Sequence, residues 1–395
     1  MNSALHLLII SHVQPGGEWI ATYRLLNDLK QFHLVERIYL LGLSYQSSFI
    51  DNAENLGIFD KIEHYKLSQT TKPFRFWKNL FYDIYRLRKL INGYKNKDHH
   101  IDHVLTTDYR AALALVGQPF NLIYSFHGIK SPLQLIGEDF NLRNLAQRIL
   151  EQLVFLRAEK IITPSVTGRQ KIKNLLGLFY RSNKIIICPQ VIPEEYYRQT
   201  PIKQLKKFCL KYNLTAKKRV LYCGRIARFK GLENLIKGFQ QYVIQDQQTQ
   251  LVIAYPDNNI DTGIMKSLQQ IINVKNIASK IRFIPNLKAG DIIKLYQSID
   301  LTILPSETEI DPLVLYESII CKAVPLTTNT CHLTEKLRKI LPDLILENNS
   351  PEEICTKIKL LLSIKKNKII ENLRLLQLDT PENQRRHIYK RLFSF

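Results

Sequence analysis

Acidic residues are scarce in this sequence: 35 Asp and Glu stand against 56 Lys and Arg, giving a formal net charge of +21. From Tyr196 to Leu232 there is no acid at all, while Arg198, Lys203, Lys206, Lys207, Lys211, Lys217, Lys218, Arg219, Arg225, Arg228 and Lys230 are basic. That imbalance favours a polyanionic partner, whether a phosphorylated substrate, an anionic membrane or nucleic acid, without choosing among them. No aromatic–basic reading motif for nucleic acid accompanies the charge, and no nucleic-acid partner is expected. None of the six cysteines forms a CxxC pair and most sit in apolar runs. They read as free thiols in a reducing compartment rather than as a disulfide framework. No apolar run is long enough to cross a bilayer. Leu5–Ile10 is short, has no basic residue before it and is soon followed by Pro15-Gly16-Gly17, so it reads as a first strand and not as a signal peptide. The expectation is a cytoplasmic chain that can touch the inner face of a membrane. No low-complexity segment and no short-period repeat is present.

What is there is enough apolar material for two cores. The chain has 395 residues, 45% of them hydrophobic, a length natural for two domains. Short runs rich in Ile, Val and Leu alternate with longer helical patterns. In the first half they are Leu5–Ile10, Arg37–Leu41, His103–Thr106, Asn121–Phe126, Lys160–Thr163 and Lys184–Ile187. In the second half they are Arg219–Cys223, Gln250–Ala254, Lys280–Ile284, Leu301–Leu304, Val324–Thr327 and Leu344–Leu346. Lacking polar alternation, they read as strands buried on both faces of parallel sheets. The fold class is α/β, with two Rossmann-like doubly wound domains. The boundary falls where prolines and lysines interrupt the alternation, giving domains 1–195 and 196–378. The segment 379–395 is a basic helix with Ile388, Leu392 and Phe393 on one side, expected to cross back to the first domain.

Candidate chemistry lies at strand carboxyl ends, where such folds bind ligands. Gly16 and Gly17 follow the first strand and precede a helical pattern, so they suit either a tight structural turn or an anion at a helix N-terminus. Arg225 and Lys230 flank the loop after Arg219–Cys223, and Lys230 is followed by Gly231. An arginine fork and a lysine point charge there can hold phosphate oxygens and neutralise a departing diphosphate. Glu309 follows Leu304-Pro305-Ser306, and Glu317 comes eight residues later. Asp311-Pro312 between them reads as a helix N-cap and first position. Carboxylates suit sugar hydroxyls because each accepts two or more hydrogen bonds. His127 ends an apolar strand beside Gly128 and can reach a ligand or bond within the fold. His99, His100 and His103 lack metal-ligand geometry, and no metal site is expected. The stretch Lys72–Lys97 spaces Phe74, Phe76, Trp77, Leu80, Phe81, Ile84, Leu87 and Ile91 as a helix, with Arg75, Lys78, Arg86, Arg88 and Lys89 between them. It can lie on an anionic membrane or pack on its own sheet with a basic outer face.

In this order, these features resemble the GT-B glycosyltransferases, specifically family 4 of the retaining enzymes (glycosyl transferases group 1), most specifically from Gly224 to Thr328. Glu309 and Glu317 are spaced as that family's paired-glutamate motif, and Ala158–Ser165 is similar to the segment that closes its first domain. The resemblance implies two domains facing a cleft, the first for the acceptor and the second for the nucleotide-diphosphate sugar. It implies hexosyl transfer with retention, without metal or cofactor, to a glycan or lipid-linked acceptor in cell-surface polysaccharide biosynthesis. Arg225 and Lys230 would hold the pyrophosphate, Glu309 the sugar hydroxyls, and Glu317 the ribose. His127 would sit by the reacting sugar, and Gly17 by the phosphates or acceptor. A catalytically silent binding protein and a nucleotide-sugar epimerase are the alternatives. The chain departs from the family at Ile310-Asp311-Pro312, Lys322, Pro189-Gln190-Val191 and Tyr255-Pro256-Asp257.

Overall fold

The computed structural model describes residues 5–13, 17–44, 57–68, 73–96, 100–127, 142–257, 260–274, 277–376, 378 and 380–393. The chain divides into two compact units, Met1–Val191 with Thr380–Phe395, and Ile192–Asp379. The division comes just before the 195/196 boundary read from the sequence. Ile192 is already buried, and the carbonyl of buried Tyr196 accepts from the Cys321 thiol at 3.6 Å, so these residues pack with the second unit.

The first unit carries seven strands: β1 (His6–His12), β2 (Arg37–Ser44), β3 (Lys61–Lys66), β4 (His103–Thr106), β5 (Asn121–Ser125), β6 (Lys160–Thr163) and β7 (Ile185–Ile187). Their order is β3-β2-β1-β4-β5-β6-β7, and every pairing is parallel. The second unit repeats the plan with β8 (Lys218–Cys223), β9 (Thr249–Tyr255), β10 (Ile281–Pro285), β11 (Leu301–Leu304), β12 (Val324–Thr328) and β13 (Ile345–Leu346), ordered β10-β9-β8-β11-β12-β13. Strand order reverses at β1/β4 in one sheet and at β8/β11 in the other. At such switch points the connections leave in opposite directions and open a crevice at the strand carboxyl ends.

The apolar runs form the sheets because both faces are covered. Leu7, Ile9, Ile38, Leu40, Leu105 and Ile123 have no exposed surface, nor do Val220, Leu251, Ile253, Leu301 and Ile303. Each such side chain contributes about 1.5–3 kcal/mol relative to exposure. In the second unit Leu235, Ile236 and Phe239 of helix Leu232–Val243 join the core with Ile354 and Ile358 of helix Pro351–Ser363. Gly238 permits their close approach: a Cβ there would lie 2.8 Å from Ile354 Cβ.

One strand is absent from the sequence reading. β3, Lys-Ile-Glu-His-Tyr-Lys, is mostly polar and half-buried, and it pairs with β2 alone. As an edge strand it needs no continuous apolar run.

Helix Glu382–Phe393 belongs to the first unit and packs beside helix Gly17–Gln31. Tyr389 donates to Asp28 Oδ2 at 2.6 Å, Arg385 pairs with the same oxygen at 3.0 Å, and Phe393 packs edge-on to His103. Burial raises the Asp28 carboxyl from its ordinary value, against the Tyr389 bond and the Arg385 charge.

Candidate active site

The second unit places its site residues on two loops beyond its switch point. β8 ends at Cys223, and the loop that follows carries Arg225 and a 3-10 turn, Arg228–Lys230. β11 ends at Leu304, and its loop carries Glu309. The loops are tied together by their backbones. The Glu307 amide donates to the Phe229 carbonyl at 2.9 Å. Gly231 adopts φ +67°, and a Cβ there would lie 2.1 Å from the Pro305 carbonyl oxygen, so only glycine allows this approach. Asn349 Nδ2 donates to the same carbonyl at 2.8 Å from a third loop.

With the loops fixed, Lys230 Nζ lies 2.6 Å from Glu309 Oε1, both side chains mostly screened from solvent. Arg225 is exposed and makes no ion pair among the described residues. Its carbonyl accepts from the Tyr222 hydroxyl at 2.6 Å. Burial first, then the Glu309 charge, drives that hydroxyl well above its ordinary pKa, and the Arg225 charge acts in the opposite sense. Arg225 and Glu309 are thus both within electrostatic reach of one buried phenol. Glu317 is buried in helix Leu313–Ile320. Burial pushes the Cys223 thiol up to about 12, and the Glu317 charge adds to that rise, which places this carboxylate close to the end of β8.

Asp311 differs from its reading as an N-cap. Helix Leu313–Ile320 starts after Pro312 and has no side-chain cap, because Asp311 Oδ1 instead accepts from the Tyr316 hydroxyl at 2.6 Å. Burial raises the Asp311 carboxyl to about 7, against the Tyr316 bond and the Lys336 charge. Lys322, where the family commonly has glycine, takes the left-handed conformation with φ +66° just past this helix.

In the first unit, Gly17 opens helix Gly17–Gln31, with Glu18 in its first turn. Gly16 and Gly128 lie outside the described residues. His127 follows β5, and its Nε2 is 2.9 Å from Ser125 Oγ. Burial lowers its pKa, against the Glu18 charge, so the imidazole is neutral at pH 7. It lines a small cavity of about 30 Å³ with Thr22, Thr163, Cys188, Gln190 and Tyr389. Of the histidines set aside as metal ligands, His100 pairs with Asp102 at 3.0 Å and His103 is buried, while His99 lies outside the described residues.

Sequence reasoning missed a buried network at the β1/β4 switch point. Asp108 caps helix Tyr109–Ala114 by accepting from the Arg110 and Ala111 amides. Its Oδ2 meets His12 Nε2 at 2.8 Å and Arg110 Nη2 at 2.7 Å. Burial opposes its ionisation, but the Arg110 charge and the His12 bond outweigh burial and hold the carboxyl far below the usual range. Arg110 also lies 3.6 Å from Asp83, which accepts from the Tyr65 hydroxyl at 3.0 Å and Ser68 Oγ at 2.9 Å. The available signal was a histidine ending β1 and an Asp two residues after the end of β4.

Helix Pro73–Asn96 packs one side into its unit and leaves large aromatic side chains exposed on another. Leu80, Leu87, Ile91 and Tyr94 are buried with Asp83, while Trp77, Phe81, Tyr82 and Tyr85 are 45%, 64%, 53% and 66% exposed. No helix among the described residues is long and apolar enough to cross a membrane.

Residues 211–375 match the family model described as Glycosyl transferases group 1. A Haemophilus influenzae protein described as an uncharacterized glycosyltransferase is 25% identical over 338 residues, 81% of this chain and 82% of that one. Among solved structures, Anabaena HepE in complex with UDP and glucose aligns with a TM-score of 0.76 at 17% identity, over 99% of this chain and 100% of that one. A UDP-GlcNAc 2-epimerase from Neisseria meningitidis, bound to UDP-GlcNAc, aligns at 0.70 with 13% identity, over 99% of this chain and 100% of that one. These two likenesses are likenesses of fold.

Proposed function

We propose that the chain is a GT-B glycosyltransferase that moves a hexose with retention from a nucleotide-diphosphate sugar to a glycan or lipid-linked acceptor, a reading supported by the group 1 family match and the glycosyltransferase relative. The observation that carries this reading is the Lys230–Glu309 pair, held on two adjoining loops at the β8/β11 switch point. Lys230 and Arg225 hold the pyrophosphate, and Glu309 receives the hydroxyls of the transferred sugar. Glu317 takes the ribose. His127, neutral, accompanies the reacting sugar, and Gly16 and Gly17 bring backbone amides to the phosphates or acceptor. The donor's C1–oxygen bond to the diphosphate breaks as the acceptor oxygen bonds to C1 from the same face. The acceptor proton passes to the leaving phosphate oxygen. Lys230 and Arg225 neutralise the charge that accumulates there, so no metal ion or cofactor is required.

We place the protein in cell-surface polysaccharide assembly in the cytoplasm, peripheral on the inner membrane face. The exposed aromatic and basic face of helix Pro73–Asn96 supports an anionic membrane partner.

The epimerase likeness supports a second reading, nucleotide-sugar epimerisation at the same donor site. Incubation with a panel of nucleotide sugars, with and without acceptor, separates the two. Transfer gives nucleotide release that requires an acceptor and a product with the donor's anomeric configuration. Epimerisation of the free donor, or nucleotide binding without turnover, would replace transfer by the epimerase or the silent binding protein. An inverted product would end the retaining mechanism alone.

A further inference from the structure

A second cavity lies in the first unit, away from the switch point. Of about 260 Å³, it is formed by edge strand β3 and the C-terminal half of helix Pro73–Asn96. That is several times the ~30 Å³ a water molecule takes up in the liquid. Arg86 and Lys89 line it from the helix and Lys61 from the strand. Its single acid, Glu63, is already ion-paired with Lys61. Lys89 makes no ion pair among the described residues. Tyr94 forms part of the wall. Its ring lies 5.3 Å from Lys61 Nζ, and its buried hydroxyl lies toward the Glu63 carboxylate. Burial first, then the Glu63 charge, pushes that hydroxyl well above its ordinary pKa, so it stays a donor. Three cations and a phenol around one neutralised acid suit a phosphate.

The same helix bears on where the phosphate comes from. Trp77, Phe81 and Tyr85 recur at i, i+4 and i+8 and are exposed, and Arg86 lies over the ring of exposed Tyr82 at 5.9 Å. At 3.6 residues per turn Phe81, Tyr85, Lys89, Tyr82 and Arg86 fall within about 140° of the helix circumference, and Trp77 lies about 40° beyond Phe81. Aromatic side chains prefer the membrane–water boundary, and basic residues beside them attract anionic lipid. We infer that this cavity receives the phosphodiester headgroup of an anionic phospholipid while the aromatic side chains rest in the interface. The inference rests on the membrane-surface reading above and adds a specific headgroup site to it.

Gly93 provides the test, because it lines the cavity and a Cβ there would meet nothing within 4 Å. Gly93→Leu therefore blocks the cavity without removing charge and at a position where the helix gains from losing glycine. The full chain is sedimented with phosphatidylcholine vesicles and with vesicles that also contain phosphatidylglycerol. The wild type is expected to pellet only with the second. Gly93→Leu should weaken that binding about tenfold, and Arg86→Gln with Lys89→Gln about 30-fold, since each basic residue at an anionic surface contributes about 1 kcal/mol. Gly93→Leu pelleting as the wild type does would overturn the headgroup site and leave the membrane reading standing. A wild type that does not pellet would overturn both. Inorganic phosphate bound by such a protein in an Arg86- and Lys89-dependent way would mark a site for soluble phosphate instead. Thermal stabilisation by nucleoside diphosphates should be unchanged in these variants, which keeps a failure here separate from a failure of the donor site.

Discussion

Lys230 and Glu309 stand 79 residues apart in sequence and 2.6 Å apart in space. The pair is not a surface accident. Gly231 against the Pro305 carbonyl and the Glu307 amide on the Phe229 carbonyl fix both loops before the side chains meet. On the proposed reading, donor binding gives the ammonium a diphosphate and the carboxylate sugar hydroxyls. Lys230→Ala is expected to lower kcat/KM roughly 10²- to 10³-fold, the range for removing one group that stabilises developing charge. Glu309→Gln should fall by a similar order, through loss of a charged acceptor for the hydroxyls. Steady-state kinetics with circular dichroism on each variant checks this. Full activity in Lys230→Ala would remove the lysine from the diphosphate clamp.

Asp311 gives the site a pH dependence. In the unfolded chain an aspartate loses its proton near ~3.9, whereas in the folded protein burial raises this one to about 7. Between those values the unfolded state binds fewer protons, so stability falls as pH rises from about 4 to 7 and is flat above. Asp311→Asn can keep the Tyr316 bond and removes the titration. At pH 8 it should be more stable than the wild type by roughly 2–4 kcal/mol, with the gap closing below about pH 4. Denaturant titrations across this range test the sign, and equal stability at pH 8 would count against a carboxyl raised by burial. The protonated acid also relieves the charge that Asp311 would otherwise bring to an anionic donor, so donor KM is expected to rise through pH 7 in the wild type only.

Asp108 titrates in the opposite sense. The Arg110 charge and the His12 bond, prevailing over burial, hold its carboxyl below the unfolded value. Its contribution is therefore complete above about pH 4 and is lost progressively as pH falls below that. Asp108→Asn is expected to cost about 3–5 kcal/mol at pH 7, because it leaves Arg110 buried and poorly paired. The variant's stability should also fall less steeply in acid. A variant with the wild-type acid profile would show that other carboxylates set it.

The apolar strands were legible because parallel strands buried on both faces need uninterrupted Ile, Val and Leu. β3 was not, since an edge strand satisfies its backbone on one side and tolerates Lys-Ile-Glu-His-Tyr-Lys. The second unit's loops were legible through glycine and paired charges at strand ends. Those residues are dictated by local backbone demands, as the +67° φ of Gly231 illustrates. The His12–Asp108–Arg110–Asp83 network was not, because each member alone reads as a solvated polar residue and its links span up to 96 residues. Lys322 was visible as a departure, but the left-handed conformation it must hold was not.

The central claim is that the second unit's two cations hold a nucleoside diphosphate. Calorimetric titration of the full chain with UDP, GDP, ADP and their hexose conjugates, beside the Arg225→Ala, Lys230→Ala double variant, tests it most directly. At least one nucleotide should bind the wild type and, at a hundredfold excess over its Kd, add about 2.7 kcal/mol of stability. The double variant should bind it at least a hundredfold more weakly with its fold intact. No binding to the wild type by any nucleotide, or equal binding by the double variant, would contradict the account.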